Sequence, residues 1–277
     1  MFCAKSLFLC IAVPNIRQAL RTSSVTLAMK AWHCGGHDQQ SLVSNLEAAN
    51  IVKTPEVINA LRKVDRAFYV PNGASAYDDC PQGIGWGATI SAPHMHAHAM
   101  EELFPSIFAR RDASSDDCEQ TTIRILDVGC GSGYLTACLS RLAGDRSVVY
   151  GIDYIDHLVN LCKTNIRKAD GELLDSGKVI VNVGDGWKGL PSIAPFDAIH
   201  VGAAAAFLPK DLATQLRVGG RMVIPIGPRH GVQALYKIDR CGGDDTKQPG
   251  VYREEDFRVE ELMSVRYVPL VDAETIS

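Results

Sequence analysis

Between Ile123 and Ile226 the chain repeats one arrangement: a mostly apolar run, a short turn, then apolar residues at helical spacing. The runs near 123–128, 148–152, 179–183, 197–202 and 221–226 predict strands buried on both faces. Between them, 134–143, 156–169 and 209–217 predict helices; Tyr134, Leu135, Cys138, Leu139 and Leu142 make the apolar stripe of the first. Strand–helix alternation with short turns implies a mostly parallel sheet, right-handed crossovers and helices on both faces. Upstream, 40–50, 54–64 and 95–104 are helical in pattern, the second opening with Thr54 as N-cap and Pro55 in the first turn. Residues 77–93 are rich in glycine, proline and small side chains, and 110–122 are polar and acidic, so both read as connections. Beyond Gly227, strand-like runs at 233–239 and 265–270 flank a Gly/Asp-rich turn, which predicts an antiparallel finish.

The strand at 123–128 runs straight into Gly129-Cys130-Gly131-Ser132-Gly133. Glycines at alternate positions let the backbone bend sharply and approach a ligand with no Cβ between them. The following helix offers its free N–H groups and positive dipole end to whatever sits there. A nucleotide-like cofactor is therefore implied. The dinucleotide fingerprint places its third glycine one position later, where Tyr134 stands. G-x-G-x-G after an acidic strand end instead resembles motif I of the methyltransferases that use S-adenosyl-L-methionine (AdoMet). A second strand ends in Asp153, about 20 residues on, the spacing of an acid that accepts from ribose hydroxyls. A third ends in Asp185-Gly186. Each acid taken singly reads equally well as a helix cap or turn residue; three at successive strand ends favour a cofactor site.

Composition narrows the class. A 277-residue chain that is 46% hydrophobic can bury a large core, so one large domain with an N-terminal annex is expected. A net charge of −4 gives no basic surface pointing to nucleic acid as a partner, and no apolar run reaches the length of a membrane span. The nine cysteines, odd in number and with no C-x-x-C pair, suit a reducing compartment better than a disulfide framework or zinc site. Residues 1–37 lack Asp and Glu but hold Lys5, Arg17, Arg21 and Lys30 around an apolar block, Leu7–Val13. An organelle-targeting segment, an unstructured extension and a start at Met29 all fit that composition.

The segment Gly87-Ala88-Thr89-Ile90-Ser91-Ala92-Pro93-His94-Met95-His96-Ala97-His98 is the other distinctive block. Its three histidines raise a metal site, yet no carboxylate or cysteine set lies nearby to complete a shell. Polar residues capping the next helix are the plainer reading. The block from Ala88 to Ala97 closely resembles the signature of the protein-L-isoaspartate (D-aspartate) O-methyltransferases. The match continues through Asp127–Gly133, Gly184-Asp185-Gly186, Phe196–Ala204 and Gly219-Gly220-Arg221, from about Met29 to Leu270.

The resemblance implies an α/β, Rossmann-like AdoMet-dependent methyltransferase fold. It divides the chain into an extension at 1–28 and a methyltransferase domain at 29–277, with a substrate-cleft part at 29–122 and an AdoMet-binding core at 123–277. It implies methylation of the α-carboxylate of L-isoaspartyl residues, and less efficiently of the D-aspartyl side-chain carboxylate, in damaged proteins and peptides. The ester then closes to a succinimide that partly reopens as normal aspartate. Ser91 corresponds to the family's active-site serine. Ala88, Thr89, Ile90, Ser91 and His96 match the segment lining the cofactor and substrate cleft. Asp127 with Gly129, Gly131 and Gly133 matches the methionine side, Asp153 the ribose acid, and Asp185 with Gly186 the segment beside adenine. A metal-free, cytoplasmic monomer is implied, with no nucleic acid or membrane partner. Cys130 stands where serine is common, the 110–122 loop is long and acidic, and Val271 replaces a threonine found in some members.

Two rivals remain. Methyltransferases acting on exocyclic amines carry an Asn/Asp-Pro-Pro-aromatic element after the fourth strand, where this chain has His200-Val201-Gly202-Ala203-Ala204. A nicotinamide-dependent dehydrogenase is disfavoured by the glycine spacing.

Overall fold

The computed structural model describes residues 34–71, 74–112, 122–229, 231–244 and 250–270. The extension at 1–28, residues 113–121 of the 110–122 loop, Val271 and the tail at 272–277 lie outside the described residues. In chain order the elements are α1 (Gln39–Ala48), α2 (Pro55–Lys63), β1 (Gln82–Gly85), β2 (Ala88–Ile90), α3 (Pro93–Asp112), β3 (Ile123–Val128), α4 (Tyr134–Ala143) and β4 (Ser147–Asp153). They continue as α5 (Asp156–Ala169), α6 (Gly171–Asp175), β5 (Val179–Val183), β6 (Phe196–Val201), α7 (Lys210–Thr214), β7 (Leu216–Ile226), β8 (Gln233–Arg240) and β9 (Phe257–Val265).

Seven strands form one sheet in the order β5-β4-β3-β6-β7-β8-β9. The first five of that order pair in parallel, and β8 and β9 add antiparallel. This is the doubly wound α/β sheet with an antiparallel finish that the patterning predicts. Because strand side chains alternate between faces, each central strand feeds two cores. Ile123 and Ile125 of β3, Val149 of β4 and Val223 of β7 face one core, shared with α1 to α5. Leu126 and Val128 of β3, Ile152 of β4 and Ile199 and Val201 of β6 face the other, covered by α7 and the 187–194 loop. Helices lie on both faces, but unequally.

Several boundaries move. The second antiparallel strand is β9, not 265–270. Most β9 side chains are exposed and several are charged, as suits a sheet edge, so no apolar run announced it. Residues beyond Val265 instead cross the end of β6, where Ala204 N–H donates to Val268 O and Leu270 N–H to Ala204 O, both at 2.8 Å. The helix predicted at 209–217 is only α7, because Leu216 already pairs with Phe196 and the strand then shifts register before Arg221. Residues 77–93, read as a connection, contain the β1–β2 hairpin, which turns through Trp86 at φ 49° and Gly87 at φ 73°. The predicted helix 95–104 extends to Pro93–Asp112 and continues through Pro105.

Two contacts fix α3, whose start carries the distinctive histidine block. Glu101 accepts bonds from the main-chain amides of Lys53 and Thr54 and from Thr54 Oγ1, each at 2.8 Å. Thr54 occupies the N-cap position of α2 with no side-chain cap of its own; Glu101 of α3 binds its amide and hydroxyl instead and ties the two helices. Arg221 of β7 donates to Glu102 O at 2.8 Å and pairs with Asp239, anchoring α3 to the sheet.

Candidate active site

The site opens at the C-terminal ends of the parallel strands, where ligands bind on such sheets. Gly129, Gly131 and Gly133 all have positive φ (76°, 48° and 86°), a backbone path that L side chains rarely take. The turn is strapped to the neighbouring strand: Gly129 and Cys130 N–H donate to Ile152 O, and Gly131 N–H donates to Asp153 Oδ2 at 3.1 Å. At Gly133 a Cβ would sit 2.8 Å from Cys162 Sγ, so that glycine lets α5 pack against the turn. At Gly129 a Cβ would rest in ordinary contact with the Gly202 backbone, 3.8 Å away, so the positive φ, not a lack of room, calls for glycine there.

A cleft beside this turn is lined by Thr89, Ile90 and Ser91 of the hairpin segment, by His96 of α3, by the turn itself, and by Asp127, His200 and Gly202. The two sequence blocks, about 30 positions apart and more, thus meet face to face. Ile84 of β1 also reaches across: its Cδ1 is 3.3 Å from where a Gly131 Cβ would be.

Asp127 lies in the cleft wall but is nearly fully buried, and both its oxygens are engaged. His200 Nδ1 is 2.8 Å from Oδ1, and Thr136 Oγ1 donates to Oδ2 at 2.6 Å. Register explains the first contact, since Asp127 and His200 are paired partners of β3 and β6 and point to the same face. Asp153, at the end of β4, accepts from Gly131 N–H and from Ile155 N–H. Burial pushes its carboxyl above the ordinary carboxylate value, against the pull of those two amides. Asp185 accepts from Trp187 N–H at 2.9 Å and lies 3.5 Å from Lys188 Nζ, holding its own turn as an Asx cap does. A Cβ on Gly186 would collide with Leu270 and Val128, at 2.8 and 2.9 Å. The structure therefore brings Thr89, Ile90, Ser91, His96, Asp127, Gly129 and Gly131 together around one cleft. Ala88, Gly133, Asp153, Asp185 and Gly186 fall outside its lining, the two acids and Gly186 in a row at the ends of β4 and β5.

Ser91 is held from both ends. Its carbonyl accepts from Arg66 Nη2 at 2.8 Å, and its side chain lies beside the Tyr267 hydroxyl, whose titration burial pushes up and Ser91 pulls down. Gln233 fixes Tyr267 in turn, accepting from its N–H at 2.7 Å. His96 is buried, with Nδ1 3.4 Å from Arg66 Nη1 and its ring 5.2 Å from that of Tyr134. Burial first, and then Arg66, His200 and His94, hold its basicity well below the ordinary histidine value. The three alternating histidines go separate ways. His94 bonds Asp79 through Nδ1 at 2.7 Å, His96 meets Arg66, and His98 Nε2 is buried without a partner.

Arg66, His200 and Tyr267 were not singled out by sequence reasoning. His200 stood inside a quoted motif, but its contact with Asp127 follows from sheet register. Arg66 and Tyr267 had no local signal.

The model of the protein-L-isoaspartate(D-aspartate) O-methyltransferase family matches residues 37–275. The chain belongs to this family. It is 40% identical over 213 residues to the protein-L-isoaspartate O-methyltransferase of Caenorhabditis elegans, covering 77% of this chain and 88% of that one. The wheat (Triticum aestivum) protein of the same name is 41% identical over 231 residues, 83% of this chain and 90% of its own. A Plasmodium falciparum structure described as a protein-L-isoaspartate O-methyltransferase in complex with S-adenosyl-L-homocysteine superposes with a TM-score of 0.70. The two are 30% identical, and the match covers 85% of this chain and 99% of the other. Among the described residues no helix is long and apolar enough to cross a membrane.

Proposed function

We propose that this chain is an AdoMet-dependent carboxyl methyltransferase that esterifies the α-carboxylate of L-isoaspartyl residues, and less efficiently the D-aspartyl side-chain carboxylate, in damaged proteins and peptides. One observation carries the reading. The hairpin segment Thr89–Ser91 and His96 face the glycine turn 129–132 across a single cleft, so a carboxylate held on one wall meets a cofactor held on the other. The glycine turn lining the cleft and the acid of Asp153 beside it fit a sulfonium nucleoside. Gly129, Gly131 and Asp153 hold its methionine and ribose portions, with Asp185 further along toward adenine. When bound, AdoMet supplies an electrophilic methyl group.

The protein's own part is positional. A carboxylate with an ordinary value near 4 is already ionised at neutral pH and needs no general base. Ser91 serves as a hydrogen-bond donor that orients the carboxylate, not as a covalent nucleophile. Alignment of reacting groups contributes up to roughly 7–11 kcal/mol. Normal aspartate presents its carboxylate from a different backbone path, and misalignment is then costly. In this reading residues 29–122 form the substrate side and 123–277 the cofactor side of one monomeric domain. Six cysteines without disulfides among the described residues favour the cytoplasm.

The test is methyl transfer from labelled AdoMet to matched peptides bearing isoaspartate or aspartate. Base-labile label on the isoaspartyl peptide alone is expected. Equal labelling of both, or none on either while cofactor binds, would overturn the substrate assignment.

A further inference from the structure

Arg66 is among the largest fully buried side chains of the described residues, yet it makes no ion pair with a carboxylate among them. Its guanidinium meets the Ser91 carbonyl at 2.8 Å, His96 Nδ1 at 3.4 Å and the face of the Tyr134 ring at 5.3 Å; Nε has no partner among the described residues. Burying a cation without an acid costs several kcal/mol, and replacing such groups with apolar ones is often neutral or stabilising. Stability alone gives no reason for it to stand there. Both its main side-chain contacts, however, are residues that line the cleft. Its own backbone is pinned as well: Gln39 Oε1 accepts from Arg66 N–H at 3.1 Å, and Asp65 accepts from Ala67 N–H at 3.0 Å.

The contact with His96 has a definite chemical content. A guanidinium has only donors, so His96 Nδ1 must be the acceptor and its proton must sit on Nε2. Nε2 makes no hydrogen bond among the described residues, and His96 lines the cleft. We propose that Arg66 is a positioning residue of the methyl-transfer site: it anchors the Ser91 main chain and fixes the proton of His96 on Nε2, so that both side chains present donors to the cleft. The inference rests on the carboxylate-binding reading above. Beyond Arg66, the titratable groups facing the His96 ring are Tyr134 of α4, His200 of β6 with Asp127 behind it, and His94 of its own helix. None of these is an acid in contact with the ring, so nothing rivals Arg66 in placing the proton.

Nitrogen-15 NMR of histidine-labelled protein reads the tautomer directly. In the unmodified chain His96 should show a bare Nδ1 and a protonated Nε2 throughout pH 6 to 8. Arg66→Met should bind S-adenosyl-L-homocysteine within about threefold of normal. Its kcat/KM for an isoaspartyl peptide should fall about 10- to 100-fold, the worth of one or two charge-assisted hydrogen bonds, and its pH profile should gain an acidic limb as His96 begins to titrate. Arg66→Lys, which keeps the charge but not the fork, should lie between the two. A proton on Nδ1 in the unmodified chain would overturn the proposal. So would an activity loss in Arg66→Met that merely tracks lost S-adenosyl-L-homocysteine binding or folded fraction, or no loss. If Arg66→Met does not fold, the tautomer in the unmodified protein decides. An unmodified enzyme that binds cofactor but ignores the isoaspartyl peptide would refute the substrate reading, while the NMR result would still judge Arg66.

Discussion

The two walls of the cleft are built in different ways. On the cofactor wall, each functional feature belongs to the strand end that carries it: the glycine turn follows β3, Asp153 ends β4 and Asp185 follows β5. Neighbouring strands lie about 4.8 Å apart, so three local motifs become one continuous surface as soon as the sheet forms. On the substrate wall nothing is local. Ser91 depends on Arg66 from a 3-10 turn, on Tyr267 from the far end of the chain, and through it on Gln233 of β8. His96 depends on Arg66 and Tyr134. A wall of local motifs tolerates change one motif at a time, whereas a wall assembled from distant segments fails as a unit.

The sharpest way to break the comparison is to strain the local wall at its tightest point. Gly133→Val should cost about 3–5 kcal/mol, combining left-handed backbone strain with overpacking against Cys162. Urea unfolding checks this, and an unchanged midpoint would show that the turn is not the rigid element described. Next in size, Ser91→Ala should lower kcat/KM for an isoaspartyl peptide about 10- to 100-fold while S-adenosyl-L-homocysteine affinity stays within threefold. Comparable loss of cofactor binding would mean the two walls are not functionally separate. Asp153→Ala should do the opposite, weakening cofactor affinity about tenfold with a smaller effect on kcat at saturation; isothermal titration and steady-state rates separate the two. The smallest effect concerns pH. His96 is held neutral by burial, below its ordinary value of 6.5. A histidine depressed in the folded state contributes stability that is complete above the unfolded value and lost as pH falls. Between pH 6.5 and 5.5 the unfolded chain takes up the proton and the folded one does not, a loss of about 1 kcal/mol. His98, also depressed chiefly by burial, adds in the same direction. Denaturation at both pH values, compared with His96→Gln, should show the slope reduced in the variant.

How far the sequence was legible follows the same division. β3, β5 and the glycine turn appear within a residue of their expected positions, because a run of apolar residues between turns leaves few alternatives. β9 was missed since its exposed, charged residues serve a sheet edge, and the β1–β2 hairpin was hidden in a glycine-rich stretch. Gly186 shows the limit of motif reading: it was assigned beside adenine, yet the neighbours it demonstrably accommodates are Leu270 and Val128. Asp127 likewise sits at its expected place with both oxygens already engaged by His200 and Thr136.

Sequence alone determined the parallel sheet, the glycine turn and the acids at strand ends, since each arises from periodicity or from backbone requirements within a few residues. It also placed Ser91 and His96 in one cleft through resemblance to a family. Only the tertiary structure decided which partners those two residues would have. A buried guanidinium, a tyrosine hydroxyl and an imidazole proton are assigned by contacts between segments up to 176 positions apart, and no local pattern records a contact of that range.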